Sequence, residues 1–519
     1  MTYSVRDQEV INLSPILVFA LSGKIGSGVS FVRDKLNQEL YTYGYDTEII
    51  DVAEMVLVNG YEQYSDDRDA KEITNLSRAE RAKELQRRGN YLRERGGNDF
   101  IAKVIFFDYI YEELINKNEI NKRKAYIIDS LKNPAEATFF RKVFGSAFYL
   151  IGVMADGEIR KTRLIERKNY TEEDYNFISS IDEGEQQESW GQNSIATIIE
   201  ADYFFDNNFD TKDEIAKESE RLLRLIFRTG IDTPRVDEEG MNVAFQVSLK
   251  SACLSRQVGA AIYSARGEIL STGFNDVPQF LGGLYGFDGS SPDKRCWVYG
   301  AKCYNDDEKN KIIDEILGLA HENISNQVEE KDTLQNGGEK VVVGVMDDAI
   351  RNAFRNALNR SRVRKLLEFS RSIHAEMEAI LSVARKGVQG LIGSTLYCTT
   401  YPCHNCAKHI VGAGITRVVY LEPYEKSLAI KLHTDSISDA SKEKREKRLI
   451  LDSYKGVAPR RFNQFFSSHG FDRKKQGLFI DNDRRRSALY PVGAQNKIEF
   501  KARLEAIFSD ATDSKVDGK

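Results

Sequence analysis

Residues 374–406 hold side chains that must meet in space to act together, and that requirement constrains the fold more than any other feature of the sequence. His374 and Glu376 stand one residue apart, Cys403 and Cys406 are spaced as Cys-x-x-Cys, and 28 residues separate His374 from Cys403. The intervening pattern predicts a helix over 373–386, a strand over 395–399, a second helix over 404–412 and a further strand over 416–421. Each cluster therefore falls at a helix start. Two helix N-termini facing one another favour negative charge between them, which suits ionised thiols.

One imidazole and two thiolates are ligands of the kind zinc takes, and a catalytic zinc site keeps its fourth position open for water. The order H-x-E…P-C-x-x-C is the signature of zinc deaminases. On that reading His374, Cys403 and Cys406 hold Zn2+, which activates water for attack on C4 of a cytosine ring. Glu376 moves protons from the water to the ring nitrogen and the departing amine. A structural zinc site would need a fourth closing ligand, for which His404 and His409 are the neighbours at hand.

SIHAEMEAI (372–380), LYCTTYPCHNCAKHIVGAGITRVVYLEPY (396–424), SRQVGAAIYS (255–264) and GFNDVP (273–278) resemble deoxycytidylate deaminases. The resemblance covers most of residues 241–435, apart from a long insertion at about 276–366. It implies the cytidine-deaminase-like α/β/α fold, assembly as a homo-oligomer, and a free deoxycytidine nucleotide, dCMP or dCTP, as substrate. By the same resemblance Asn275 and Ala375 contact that substrate, while Glu378 stands where many of these enzymes carry Asn. Some relatives hold a second zinc on extra cysteines. Cys253, Cys296 and Cys303, with His321 as a fourth ligand, are the candidates here, against the alternative of buried unligated thiols. Cys398, inside an apolar strand, reads as core.

All six cysteines lie in the second half of a 519-residue chain that opens with no signal-peptide pattern. Such usage points to metal chemistry rather than disulfides, and to the cytoplasm. The longest apolar run, 16–21, is too short to cross a bilayer. Hydrophobic residues at 41% and charged residues at 29% describe globular material, enough for two or three domains. A net charge of −5 weighs against general nucleic-acid binding. Residues 431–490 run the other way, with 15 Lys or Arg against 8 Asp or Glu and basic runs at 442–448, 473–475 and 484–486.

The first part of the chain alternates apolar strands (16–21, 125–128, 147–153) with helices (from Ser30, and 158–168), the pattern of a parallel sheet covered on both faces. Gly23-Lys24-Ile25-Gly26-Ser27-Gly28-Val29-Ser30 follows the first strand and opens a helix. Its spacing is that of a P-loop, except that Val29 stands where the lysine belongs. Gly23, Gly26, Ser27, Gly28 and Ser30 are therefore candidates for holding phosphate, with Asp129 at a strand end as a carboxylate for Mg2+. Arg160, Arg163 and Arg167 resemble the lid of a nucleoside-phosphate kinase, and 191–208 resembles the end of such a domain. Without the lysine, the expectation is nucleotide binding rather than phosphoryl transfer; the bland alternative is a degenerate Rossmann-like domain kept for structure.

Residues 1–228 thus read as a P-loop kinase-like domain, 229–240 as a linker, and 241–519 as a deaminase domain with a basic C-terminal extension. This fusion resembles bacterial anti-phage deoxycytidine deaminases, which implies depletion of cytosine nucleotides and regulation by a nucleotide or RNA. Two rival readings stay open: a deaminase of RNA or single-stranded DNA, which the basic stretch favours, and a nucleotide-sensing regulatory protein.

Overall fold

Apolar runs in the first part of the chain become a parallel sheet, as their alternation with helices predicts. The computed structural model describes residues 16–116, 123–184, 190–208, 212–286, 292–332, 348–423, 427–439, 447–468, 473–480 and 504. Its strands begin with β1 (Ile16–Gly23), β2 (Asp46–Asp51), β3 (Lys124–Asp129), β4 (Phe148–Met154) and β5 (Tyr203–Asp206). They pair in the order β5-β4-β1-β3-β2, all parallel. Every residue of β1 is buried, as a strand covered on both faces must be.

Side chains of β1 alternate between the two faces. Leu17, Phe19 and Leu21 share a core with Val32, Leu36 and Leu40 of α1 (Val29–Thr42), which recur every four residues on one helix face. Helix α2 (Pro134–Phe144) packs against β4. Leu222, Leu223 and Ile226 of α4 (Lys212–Phe227) join the α1 core; α3 (Gly157–Lys168) precedes it in the chain.

The next helix, α5 (Val236–Ser248), begins inside the stretch expected as a linker. The Glu238 carboxylate accepts the Arg235 N–H at 2.8 Å and caps the helix there. The same carboxylate is buried against Arg221, with two contacts of 2.7 Å. Five residues of the expected linker are therefore ordered helix.

The chain forms two compact units, one of 1–242 plus 416–519 and a second of 243–415. The second is built on β6 (Gly259–Tyr263), which pairs antiparallel with both β7 (Ile269–Phe274) and β8 (Thr395–Thr400). Helix α6 (Ala375–Lys386) lies on β6 and β7. The approach is close enough that a Cβ at Gly273 would stand 2.3 Å from the Ala375 carbonyl oxygen, so only glycine fits. Helix α7 (His404–Gly412) follows β8. The expected insertion holds helices Tyr304–Asp332 and Asp348–Arg360.

From residue 416 the chain belongs to the first unit again. Strands β9 (Arg417–Glu422), β10 (Ile437–Asp439) and β11 (Leu449–Ser453) make a parallel ladder in the order β10-β11-β9. Then β12 (Gly456–Val457) pairs antiparallel with β5, completing the edge of the first sheet. The basic positions 442–446 and 484–486, and most of the C-terminal extension, lie outside the described residues. No helix among the described residues is long and apolar enough to cross a membrane.

Candidate active site

Two helix starts define the site. His374 is the N-cap of α6, with extended backbone (φ −76°, ψ 153°) that turns its ring away from the helix, and its carbonyl accepts the Glu378 N–H at 2.9 Å. Cys403 is the N-cap of α7, and its Sγ accepts the Cys406 N–H at 3.4 Å. The cap geometry thus turns both cysteines of the Cys-x-x-Cys turn to the same side. His374 Nδ1 stands 3.4 Å from Cys403 Sγ and 3.3 Å from Cys406 Sγ.

These three donor atoms all lie within 4.8 Å of one another, and among the described residues no other His, Cys, Asp or Glu group of three does so. Around a tetrahedral zinc ion with Zn–N ~2.0 Å and Zn–S ~2.3 Å, nitrogen and sulfur would be roughly 3.6 Å apart. The donor set therefore fits zinc in chemistry and in scale. Cys403 is held down to about 4, first by its hydrogen bond with the Cys406 thiol and then by His374. His374 is pushed up to about 9, mainly by its contact with Cys403. A thiolate is already favoured at this position.

Glu376 is 4% exposed, and burial raises its carboxyl above the usual range. A carboxyl that gains and releases a proton easily is what proton transfer needs. Ala375 is fully buried under Gly273. His404 and His409 stay out of the three-donor group, and His409 Nδ1 donates to the Asn405 carbonyl at 2.7 Å. Glu378 is buried and paired with Arg385.

Asn275 has both polar ends engaged by one loop. Its Oδ1 accepts the Val258 N–H at 2.7 Å, and its Nδ2 donates to the Arg256 carbonyl at 2.9 Å. In this structure it braces residues 256–258. The neighbouring Asp276, which the sequence did not single out, ties more of the site together. Its carboxylate accepts the N–H groups of Ala252 and Val277, and its carbonyl accepts that of Ile373, next to His374. The signal for it was the Asn-Asp pair directly after a strand, where side chains commonly bond backbone.

None of the six cysteines forms a disulfide. Burial raises the Cys296 thiol, with Cys253 and Cys303 close enough to add to the effect, but these three do not close into a ligand group. His321 is exposed.

The glycine loop lies in the first unit. Gly26 and Gly28 both have positive φ (83° and 84°), the latter as N-cap of α1. Arg160 and Arg163 are buried rather than lid-like; Arg163 donates to the Gly26, Ser27 and Asn207 carbonyls. Asp129, expected beside Mg2+, carries Arg33 instead, with Nη1 at 2.9 Å.

With this geometry in hand, the comparisons with known proteins are specific. The model of the cytidine and deoxycytidylate deaminase zinc-binding region matches residues 234–422. A deoxycytidylate deaminase of Enterobacteria phage T4 is 31% identical over 187 residues, covering 36% of this chain and 78% of the phage protein. That of Enterobacteria phage T2 is 32% identical over 189 residues, covering 36% and 80%. The solved structure of a dCMP deaminase from cyanophage S-TIM5, in complex with dCMP and dUMP, covers 43% of this chain and 99% of that one, at 19% identity and a TM-score of 0.23.

Proposed function

The chain belongs to the cytidine and deoxycytidylate deaminase family, and we propose that it is a zinc enzyme hydrolysing the exocyclic amine of a free deoxycytidine nucleotide, dCMP or dCTP. The products are the deoxyuridine nucleotide and ammonia. The observation that carries this reading is the convergence of His374, Cys403 and Cys406 within 4.8 Å, with buried Glu376 two residues from the histidine.

His374, Cys403 and Cys406 would hold the zinc ion, which when bound supplies a Lewis acid that makes water nucleophilic at neutral pH. Glu376 takes a proton from the attacking water and gives it to the ring nitrogen. It then passes the second proton to the amine as the C4–N bond breaks and the C4–O bond remains. Its burial keeps the proton from exchanging freely with solvent. Asn275 and Asp276 act as positioning residues that fix the segments around this centre. Turnover drains deoxycytidine nucleotide from the supply for DNA synthesis, in keeping with the anti-phage role that the resemblance implies.

The test is a direct comparison of substrates. The full chain is incubated with dCMP, dCTP and a cytosine-containing single-stranded oligonucleotide at matched concentration, and uracil products are separated by chromatography. Free nucleotides are expected to be converted fastest; faster conversion of the oligonucleotide replaces this reading with a polynucleotide deaminase.

A further inference from the structure

The cavity at the glycine loop is built for an anion, yet its arrangement departs from a magnesium-dependent phosphate site. It measures about 500 Å³, within the size range of small-molecule sites at ~300–1,000 Å³ and far larger than one phosphate needs. Lys24, Lys132, Arg163, Arg167 and Lys168 line it, and no carboxylate does among the described residues.

The loop backbone is sorted by polarity. Its carbonyls are held by side chains: Lys132 Nζ donates to Gly23 O at 2.7 Å, Asn207 Nδ2 to Ser27 O at 2.7 Å, and Arg163 to Gly26 and Ser27. The N–H groups of Gly26, Gly28, Val29 and Ser30 take no protein acceptor among the described residues. Successive unclaimed N–H groups at a helix start are donors for phosphate oxygens. Asn207, which also lines the cavity, is 2% exposed and its Oδ1 has no hydrogen-bond partner.

A magnesium ion in such a site would draw on a loop hydroxyl and a strand-end carboxylate. Here Ser30 Oγ donates to Asp129 Oδ2 at 3.1 Å, and Arg33 Nη1 donates to the same oxygen at 2.9 Å. Asp51 lies directly across from Asp129 in the β2–β3 register, so a cation at this point offsets two neighbouring carboxylates. Guanidinium supplies it permanently, since it does not lose its proton or dissociate.

We infer that this cavity binds the phosphates of a nucleoside polyphosphate without a divalent cation, with Arg33 occupying the place between Ser30 and Asp129 that magnesium would otherwise take. Lys132 brings to the loop the ammonium that Val29 removes from the helix. The apolar walls at Ile25, Val29 and Phe31 leave room for a sugar and base. The inference rests on the first unit alone and stands or falls separately from deamination.

Calorimetry on the full chain tests it, with ATP and inorganic pyrophosphate as probes, in buffers with and without magnesium chloride. Binding of ATP is expected to be the same within about twofold in both buffers. The double variant Arg167→Glu, Lys168→Glu reverses two exposed charges and should weaken ATP by about tenfold or more with the fold intact. Arg33→Ala should make binding magnesium-dependent, because it frees Asp129 and Ser30 for the ion. The inference fails if neither probe binds, if binding by the parent needs magnesium, or if the charge reversal has no effect. Should Arg33→Ala not fold, the parent and the double variant decide the matter.

Discussion

Glu376 sits where small chemical changes have the largest consequence. Replacing it by glutamine keeps its volume and a hydrogen-bonding oxygen in a buried position but removes the exchangeable proton. Glu376→Gln should retain its metal and fold while turnover falls by roughly 10²–10⁴-fold, the usual worth of positioned proton transfer. Metal analysis and a product assay on the same sample check it; a zinc-loaded variant with near-parental turnover removes Glu376 from the reaction. The meeting of His374, Cys403 and Cys406 was legible in the sequence because each half is local: one cap histidine with its glutamate, and one Cys-x-x-Cys turn. Arg33 was not, because its partner lies far along the chain. Arg33 reaches Asp129 across 96 positions, and no spacing rule connects such residues. Asn275 was legible as a polar residue near the site, but its bonds to Arg256 and Val258 depend on a loop whose path only the fold determines.

Among the elements, β5 shows how a strand end can carry a cost. Asp206 closes β5, and burial raises its carboxyl from 3.8 to about 6. Between those values the folded chain holds a proton that the unfolded chain has released. Stability contributed by this group therefore falls as pH rises from about 4 to 6 and stays reduced above. Asp206→Asn should remove that slope and leave the protein about 1–3 kcal/mol more stable than the parent at pH 7.5, with little difference at pH 4. Melting temperatures of both proteins across pH 4–8 test this; parallel curves count against it. Several elements were readable from periodicity, since buried strands and one-sided helices repeat their apolar residues. Strand β2 was not, because four of the six residues of DTEIID are polar, as an edge strand is free to have. Strand β12 has two residues and no period at all. Helix α5 starts earlier than its apolar pattern because a glutamate cap, rather than hydrophobic spacing, sets its first turn.

At the scale of the whole molecule, the first unit is completed by residues from far along the chain. Arg461 is buried, donating to Asp202 at 2.9 Å and to the Phe148 carbonyl at 2.7 Å, over the ring of Tyr149. Arg461→Ala strands part of the Asp202 charge, although Arg141 still pairs with it at 2.9 Å. A loss of about 2–3 kcal/mol is expected. Arg460→Ala next door removes a pair with Glu200 that is 34% exposed on one side and 42% on the other, and should cost under ~1 kcal/mol. Denaturant titration of both variants checks the contrast, and equal losses contradict it. This return, the pairing of β12 with β5, was not legible in the sequence, because it is a property of the folded sheet.

That return has a consequence for how the protein is made. Strand β5 leaves the ribosome long before β12, which follows about 250 residues later, and translation at roughly 5–20 residues per second makes the interval tens of seconds. Throughout it the nascent sheet presents Tyr203 and Phe204 along an unpaired margin, together with the groove that Arg461 and Phe465 will later fill. An open strand margin is a template for joining a neighbouring chain, and on a polysome the neighbour is an identical one at high local concentration. Slow elongation through the second unit should therefore favour misassembly, whereas a chaperone that covers the margin until residue 467 emerges should raise the soluble yield.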